Sequence, residues 1–210
     1  MVVGVTINDP NAAVSSVSYG ASPLTLIASP SNLIAMYYLL NPPIATLTVT
    51  VTLTSAPVLG GACGGSVSYF NVYGVGASIA NSGSNSPASV SVASNDGELV
   101  VDLLGAGTGA APIAAVSGQT LRWAEPTLGA MSDKAASSPT TPMTYTLAGG
   151  AYDGAWSMIA VALLPGTPPT PVGGIVMPTN KLEILTPYLA LAGLVIAVSA
   201  VVAIKRRSKA

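Results

Sequence analysis

Residues 184–204 run for 21 positions without a charge. At about 1.5 Å rise per residue such a helix is roughly 31 Å long, about one bilayer hydrocarbon core. A soluble helix of this length keeps a polar face, and this run has none. A single transmembrane α-helix is therefore expected here. Thr186 can cap it, Pro187 suits a first turn where its missing N–H would be unpaired anyway, and Tyr188 falls at interfacial depth.

Lys205, Arg206, Arg207 and Lys209 follow at once, whereas the other flank carries Lys181 and Glu183. Cationic flanks stay on the cytoplasmic side, so residues 205–210 are expected to form a basic cytoplasmic tail and everything before residue 184 to lie outside the cell. The opening residues MVVGVTINDPNAAVSSVSYG show no basic n-region and no continuous apolar stretch, so an export signal is not legible there. A tail-anchored protein facing the cytosol would account for that. It would also put four cations outside and a Ser/Thr surface nearly free of Lys in the cytosol, and it ranks third among the readings.

Residues 1–183 hold eight acids against three bases, a net charge of −5. Phosphate neutralisation needs clustered Lys and Arg, so a nucleic-acid partner is excluded. The chain has no His, and 7% of its residues are charged while half are apolar, a composition for packed β-structure with a hydroxyl-rich surface. Cys63 is the lone cysteine, which rules out an internal disulfide and a cysteine metal cluster. No Asn stands in an N-x-[ST] sequon.

The segment ATLTVTVTLTS, residues 45–55, alternates strictly: Leu47, Val49, Val51 and Leu53 face one way, the threonines the other. This predicts a strand with one dry and one wet face. Further short apolar or alternating runs occupy 2–7, 14–19, 24–28, 33–40, 66–73, 89–93, 99–104, 120–123, 143–147 and 156–164. Turn sequences such as NDPN, NPP, NSGSNSP, NDG and AGGAYDG separate them. The pattern predicts an all-β, antiparallel β-sandwich over 1–164. The Pro-rich segment from 165 to 183 reads as an extended stalk, whose PGTPPTPVGG alone would span some 30 Å at about 3.1 Å per residue.

The tail PVGGIVMPTNKLEILTPYLALAGLVIAVSAVVAIKRR resembles the C-terminal anchors of archaeal surface proteins, with a Pro/Gly spacer, a V-G-G step, a P-x-N-K-L motif, then P-Y and the spanning helix. The preceding residues resemble a β-sandwich repeat of large bacterial and archaeal surface proteins, through VVGVTI, VSSVSYG with SPLTLIAS, YYLLNPP before TVTVTL, GELVVDLL, GQTLRW and AWSMIAVALLP. The resemblance implies an extracellular, jelly-roll-like, adhesin-type module of structural or adhesive character with no catalytic motif. Such repeats usually carry another strand before the VVGV stretch, where this chain has Met1. It therefore implies a sheet lacking its first strand, to be filled by an upstream segment or by a donor strand from a neighbouring chain.

Catalysis is not expected. Glu98, Asp102, Glu125 and Asp153 are the available acids for glycosidase chemistry, but Glu98 and Asp102 on one strand would stand about 13 Å apart, beyond the spacing of such pairs. No Ser or Cys lies in a nucleophile motif. Asn95, Asp96 and Glu98 offer a partial Ca²⁺ site, although NDG is a hairpin signal that needs no metal, and no metal or cofactor is expected. Asp102 inside an apolar run needs a partner, and Arg122 is the one Arg before the span. Trp156 opens an apolar strand and reads as core. Trp123, beside Arg122, is the candidate for an exposed aromatic that stacks on sugars. The function expected is a non-catalytic structural or adhesion module on the cell surface, with the lipid bilayer and other surface proteins or glycans as partners. A carbohydrate-binding module using Trp123 and Arg122 is the alternative.

Overall fold

The computed structural model describes residues 1–58, 61–84, 86–106, 113–115, 118–125, 128–147 and 155–166. The expected span at 184–204, with Tyr188, Lys205, Arg206, Arg207 and Lys209, lies outside them, as do residues 167–183 of the expected stalk and Asp153.

In chain order the strands are β1 (Val2–Ile7), β2 (Val14–Tyr19), β3 (Ser22–Pro23), β4 (Thr25–Ser31) and β5 (Ile34–Tyr38). Then come β6 (Val49–Leu53), β7 (Ala62–Val67), β8 (Val72–Gly83), β9 (Ala88–Ala93) and β10 (Leu99–Ala106). The last five are β11 (Ile113–Ala115), β12 (Thr120–Glu125), β13 (Gly129–Ala135), β14 (Thr140–Leu147) and β15 (Trp156–Pro165). The pairings among these strands are antiparallel, and no helix occurs among the described residues, as the sequence pattern predicts.

The strands form four sheets, ordered β3-β2-β6, β4-β5-β1-β7, β12-β13-β10-β15-β8 and β11-β14-β9. Strand alternation stacks them in that sequence. Val3, Val5 and Ile7 of β1 pack with Val17 of β2 and Leu53 of β6, while Val2 on the opposite face joins Val101 and Leu103 of β10. Val100 and Leu104 of β10 point the other way, onto Val90, Met143 and Tyr145. β1, β10 and β15 thus lie between two apolar layers, which is why they read as near-continuous hydrophobic runs instead of alternating ones.

β1 is paired on both sides, by β5 and by β7. The edges of that sheet are β4 and β7. The strand expected across 45–55 is shorter, Val49–Leu53, and its apolar side is thinly covered. Val49 and Leu53 are half-buried, but Leu47 is 41% and Val51 36% exposed. The cause is geometric: a three-stranded sheet ends at β6 and leaves β7 of the four-stranded sheet beneath it bare.

Candidate functional site

Arg122 and Trp123 sit on β12, where the pairing with β13 shifts register between Leu121 and Trp123. Such a bulge re-aims neighbouring side chains. Arg122 grips Asp133 with two bonds, Nε to Oδ2 at 2.5 Å and Nη2 to Oδ1 at 2.9 Å, and the Tyr69 hydroxyl donates to the same Oδ2 at 2.8 Å. The partner of Arg122 is thus Asp133, not Asp102 as the sequence led us to expect. The guanidinium side chain is 39% exposed and the carboxylate 4%, so this is a half-covered pair that anchors β12 to β13. Its hydrogen bonds to Asp133 hold the Arg122 pKa up, while burial, then the bond to Asp133, raises that of Tyr69.

Trp123 turns inward. It is half-buried and packs against the core between the four- and five-stranded sheets. A Cβ on Gly65 of β7 would lie 2.2 Å from Trp123 Cδ1, and the ring's Nε1 is buried with no hydrogen-bond partner among the described residues. A sugar-stacking platform needs an open ring face, which this packing does not leave toward β7. Trp156 is 6% exposed, in the core as read from the sequence. Gly65→Ala should therefore destabilise the domain by about 1–3 kcal/mol, since overpacking forces backbone or rotamer shifts. Trp123→Leu should restore part of the loss, as a double-mutant cycle in urea will show.

The most buried polar cluster surrounds Asp102, which is fully inaccessible. Its Oδ1 accepts three bonds, from the Ser132 backbone N–H at 2.8 Å, the Ser132 hydroxyl at 2.9 Å and the Tyr145 hydroxyl at 2.7 Å. Gln119 Nε2 approaches Oδ2 at 3.5 Å and donates to Ser132 Oγ at 2.8 Å. Gln119 Oε1 accepts the Thr144 N–H at 2.7 Å, which fixes the orientation of the amide. Burial pushes the Asp102 pKa up to about 7, against the pull of the Tyr145 and Ser132 donors. Burial and the neighbouring Asp102 raise Tyr145 as well. The cluster ties β10 and β13 to β14 of the next sheet and is sealed from solutes. Ser132, Tyr145 and Gln119 carry no motif that would have singled them out; the one sequence clue was an acid inside LVVDLL.

The NDG segment is a closed turn. Glu98 spends its carboxylate on the Asn95 backbone N–H at 3.0 Å and side-chain amide at 2.9 Å, Asp96 accepts the Ser138 N–H at 3.0 Å, and Gly97 takes φ +90°. Asp9, 1% exposed, accepts N–H groups from Asn11 at 2.9 Å and Val58 at 2.6 Å and so pins two loops together. Cys63 is half-buried in β7 and lies 3.0 Å from Thr6 Oγ1, and burial raises its thiol pKa. Glu125 is exposed at the end of β12.

Between the bare edges of β6 and β7 runs a groove of ≈ 410 Å³. Val49, Val51 and Leu53 form one wall, Ala62, Gly64 and Ser66 the other. Two adjacent strand edges over an apolar floor are the geometry by which an extended chain adds to a sheet. No protein-family model matches the sequence, and neither a curated protein nor a solved structure matches the chain.

Proposed function

We propose that this chain is a membrane-anchored cell-surface module, structural or adhesive in character and without catalytic activity: a jelly-roll-like β-sandwich held by one C-terminal transmembrane helix. The observation that carries the reading is the uncharged run 184–204 followed directly by KRRSK, a hydrophobic length that matches a bilayer with a cationic flank that sets its direction. The domain supports it in kind. Its buried acids are occupied, Asp133 by Arg122 and Tyr69, and Asp102 by Ser132 and Tyr145, so they serve packing between sheets. The groove at β6 and β7 is a place where another surface protein's extended segment would pair, and it favours protein contacts over the glycan alternative, because Trp123 packs inward.

Protease added to intact cells should remove the domain and leave a short membrane-embedded stub containing residues 184–210. Replacing Lys205, Arg206, Arg207 and Lys209 with Gln should weaken that orientation, since the charge bias sets it. A domain fully protected in intact cells and cleaved only after lysis would sink the outward-facing assignment.

A further inference from the structure

One end of the described domain is formed by two loops that present apolar side chains to solvent. The loop between β5 and β6 carries Leu40, 36% exposed, and Ile44, 107% exposed; the turn between β7 and β8 carries Phe70 at 99%, with Tyr73 at 63% just beyond it. The loops are neighbours, because Pro42 borders one hollow with Tyr69 and Phe70 and another with Ile44 and Ser68. Each is turned by an asparagine in the left-handed region, Asn41 at φ 49° and Asn71 at φ 58°, so their shapes are set by the backbone. The Tyr19 hydroxyl holds the first loop through the carbonyl of Ala45.

Two further facts bear on what covers this rim. The sequence has no charged residue between Asp9 and Asp96, so neither loop carries a charged side chain, and the acids that give residues 1–183 their negative balance lie elsewhere. The chain also leaves the domain here: Gly166 N donates to Asn71 O at 2.7 Å, one residue from Phe70. Only 17 residues, 167–183, separate that exit from the uncharged run. A tether this short keeps the rim at high effective concentration beside any bilayer the run occupies, so that weak insertion becomes populated. Fully exposed Phe and Ile at loop tips, with Tyr at their base and no charged side chain on either loop, fit the headgroup–acyl boundary.

We propose that the rim bearing Ile44 and Phe70 inserts into the interface of the same bilayer that holds the C-terminal run, seating the domain on the lipid surface and not at the far end of an extended stalk. This rests on the anchored reading above. Seated so, the domain orients its groove and its charged side chains relative to the lipid plane.

The full chain, reconstituted in phosphatidylcholine liposomes, tests this with Phe70→Trp and Ile44→Trp, each against wild type to subtract Trp123 and Trp156. Val58→Trp is the control: Val58 is 87% exposed, yet it bonds Asp9 beyond the opposite end of β1. Tryptophan at 70 and at 44 should be blue-shifted and should lose most of its emission when the acyl chains are brominated, while tryptophan at 58 stays unquenched. All three sites are exposed, so the fold should tolerate them, as equal protease resistance will confirm. If the chain floats with the liposomes but tryptophan at 70 and 44 is as unquenched as at 58, the rim does not touch lipid and the proposal fails while the anchor stands. A chain that does not float overturns both. A blue shift without bromolipid quenching that grows with protein density would place a second copy on the rim, and overturn the lipid assignment.

Discussion

Leu103→Asp should leave no folded domain, and Leu103→Ala should lower the unfolding free energy by about 2–5 kcal/mol, read as a fall in the urea midpoint at constant slope. Leu103 is fully buried at the centre of β10, in the core shared by the four- and five-stranded sheets with Met36, Met131 and Ile159. Its side chain lies so close to β1 that a Cβ on Gly4 would be 2.7 Å from Leu103 Cδ1. Truncation leaves a cavity between two rigid sheets that collapse poorly, and a carboxylate there would be unpaired, at a cost of the order of the whole stability of a domain. The same change at Val51 should cost under about 1 kcal/mol, because a residue 36% exposed on the last strand of the outermost sheet can keep a charge hydrated. Equal damage at the two positions would mean that the groove beside β6 is covered in solution.

That contrast marks where the sequence misled. The alternation of ATLTVTVTLTS is the strongest strand pattern in the chain, yet it belongs to a thinly covered edge strand, since period-2 alternation reports one dry face and says nothing of how well that face is covered. The interior strands were legible through their continuous apolar runs, VVGVTI, LVVDLL and WSMIAVALL. β13 was not, because GAMSDKA looks like a polar loop until Ser132 is seen on Asp102 and Asp133 on Arg122. β8 was legible only at Val72 and Tyr73, the end of the run expected over 66–73, because beyond them Gly74, Gly76 and Gly83 stand where Leu164 and Trp156 press against the strand. The candidate site was legible only as residue types. An acid in an apolar run and one Arg implied a buried ion pair, but register decided that the Arg reached Asp133 and left Asp102 to hydroxyl and amide donors. Ile44 gave no signal, since a lone apolar residue in a turn reads the same whether it points in or out, and Phe70 fell inside the run expected as a strand over 66–73, where the chain instead turns between Val67 and Val72.

The second large effect is on pH. Asp102 is buried with no cation bonded to it, so its folded-state pKa stands at about 7 against an ordinary value of 3.8. Below about pH 4 the carboxyl is protonated in both the folded and the unfolded chain. As pH rises from there the unfolded chain releases its proton while the folded chain keeps it, so the stability that the proton provides is lost progressively up to about pH 7. At about 1.4 kcal/mol per unit, this amounts to a few kcal/mol over the window, with wild type weakest on the alkaline side. Other carboxylates add their own slopes, so the quantity to measure is the difference between wild type and Asp102→Asn, an isostere that cannot ionise, from urea melts between pH 4 and pH 8. Wild type should lose ground to Asp102→Asn up to about pH 7, and the difference should level off above it. Tyr145→Phe, which removes the 2.7 Å donor that favours the ionised form, should cost more at pH 8 than at pH 4. Parallel curves for wild type and Asp102→Asn would show instead that the donors from Ser132, Tyr145 and Gln119 suffice to keep the buried carboxylate ionised throughout, hydrogen bonding then outweighing desolvation in this site.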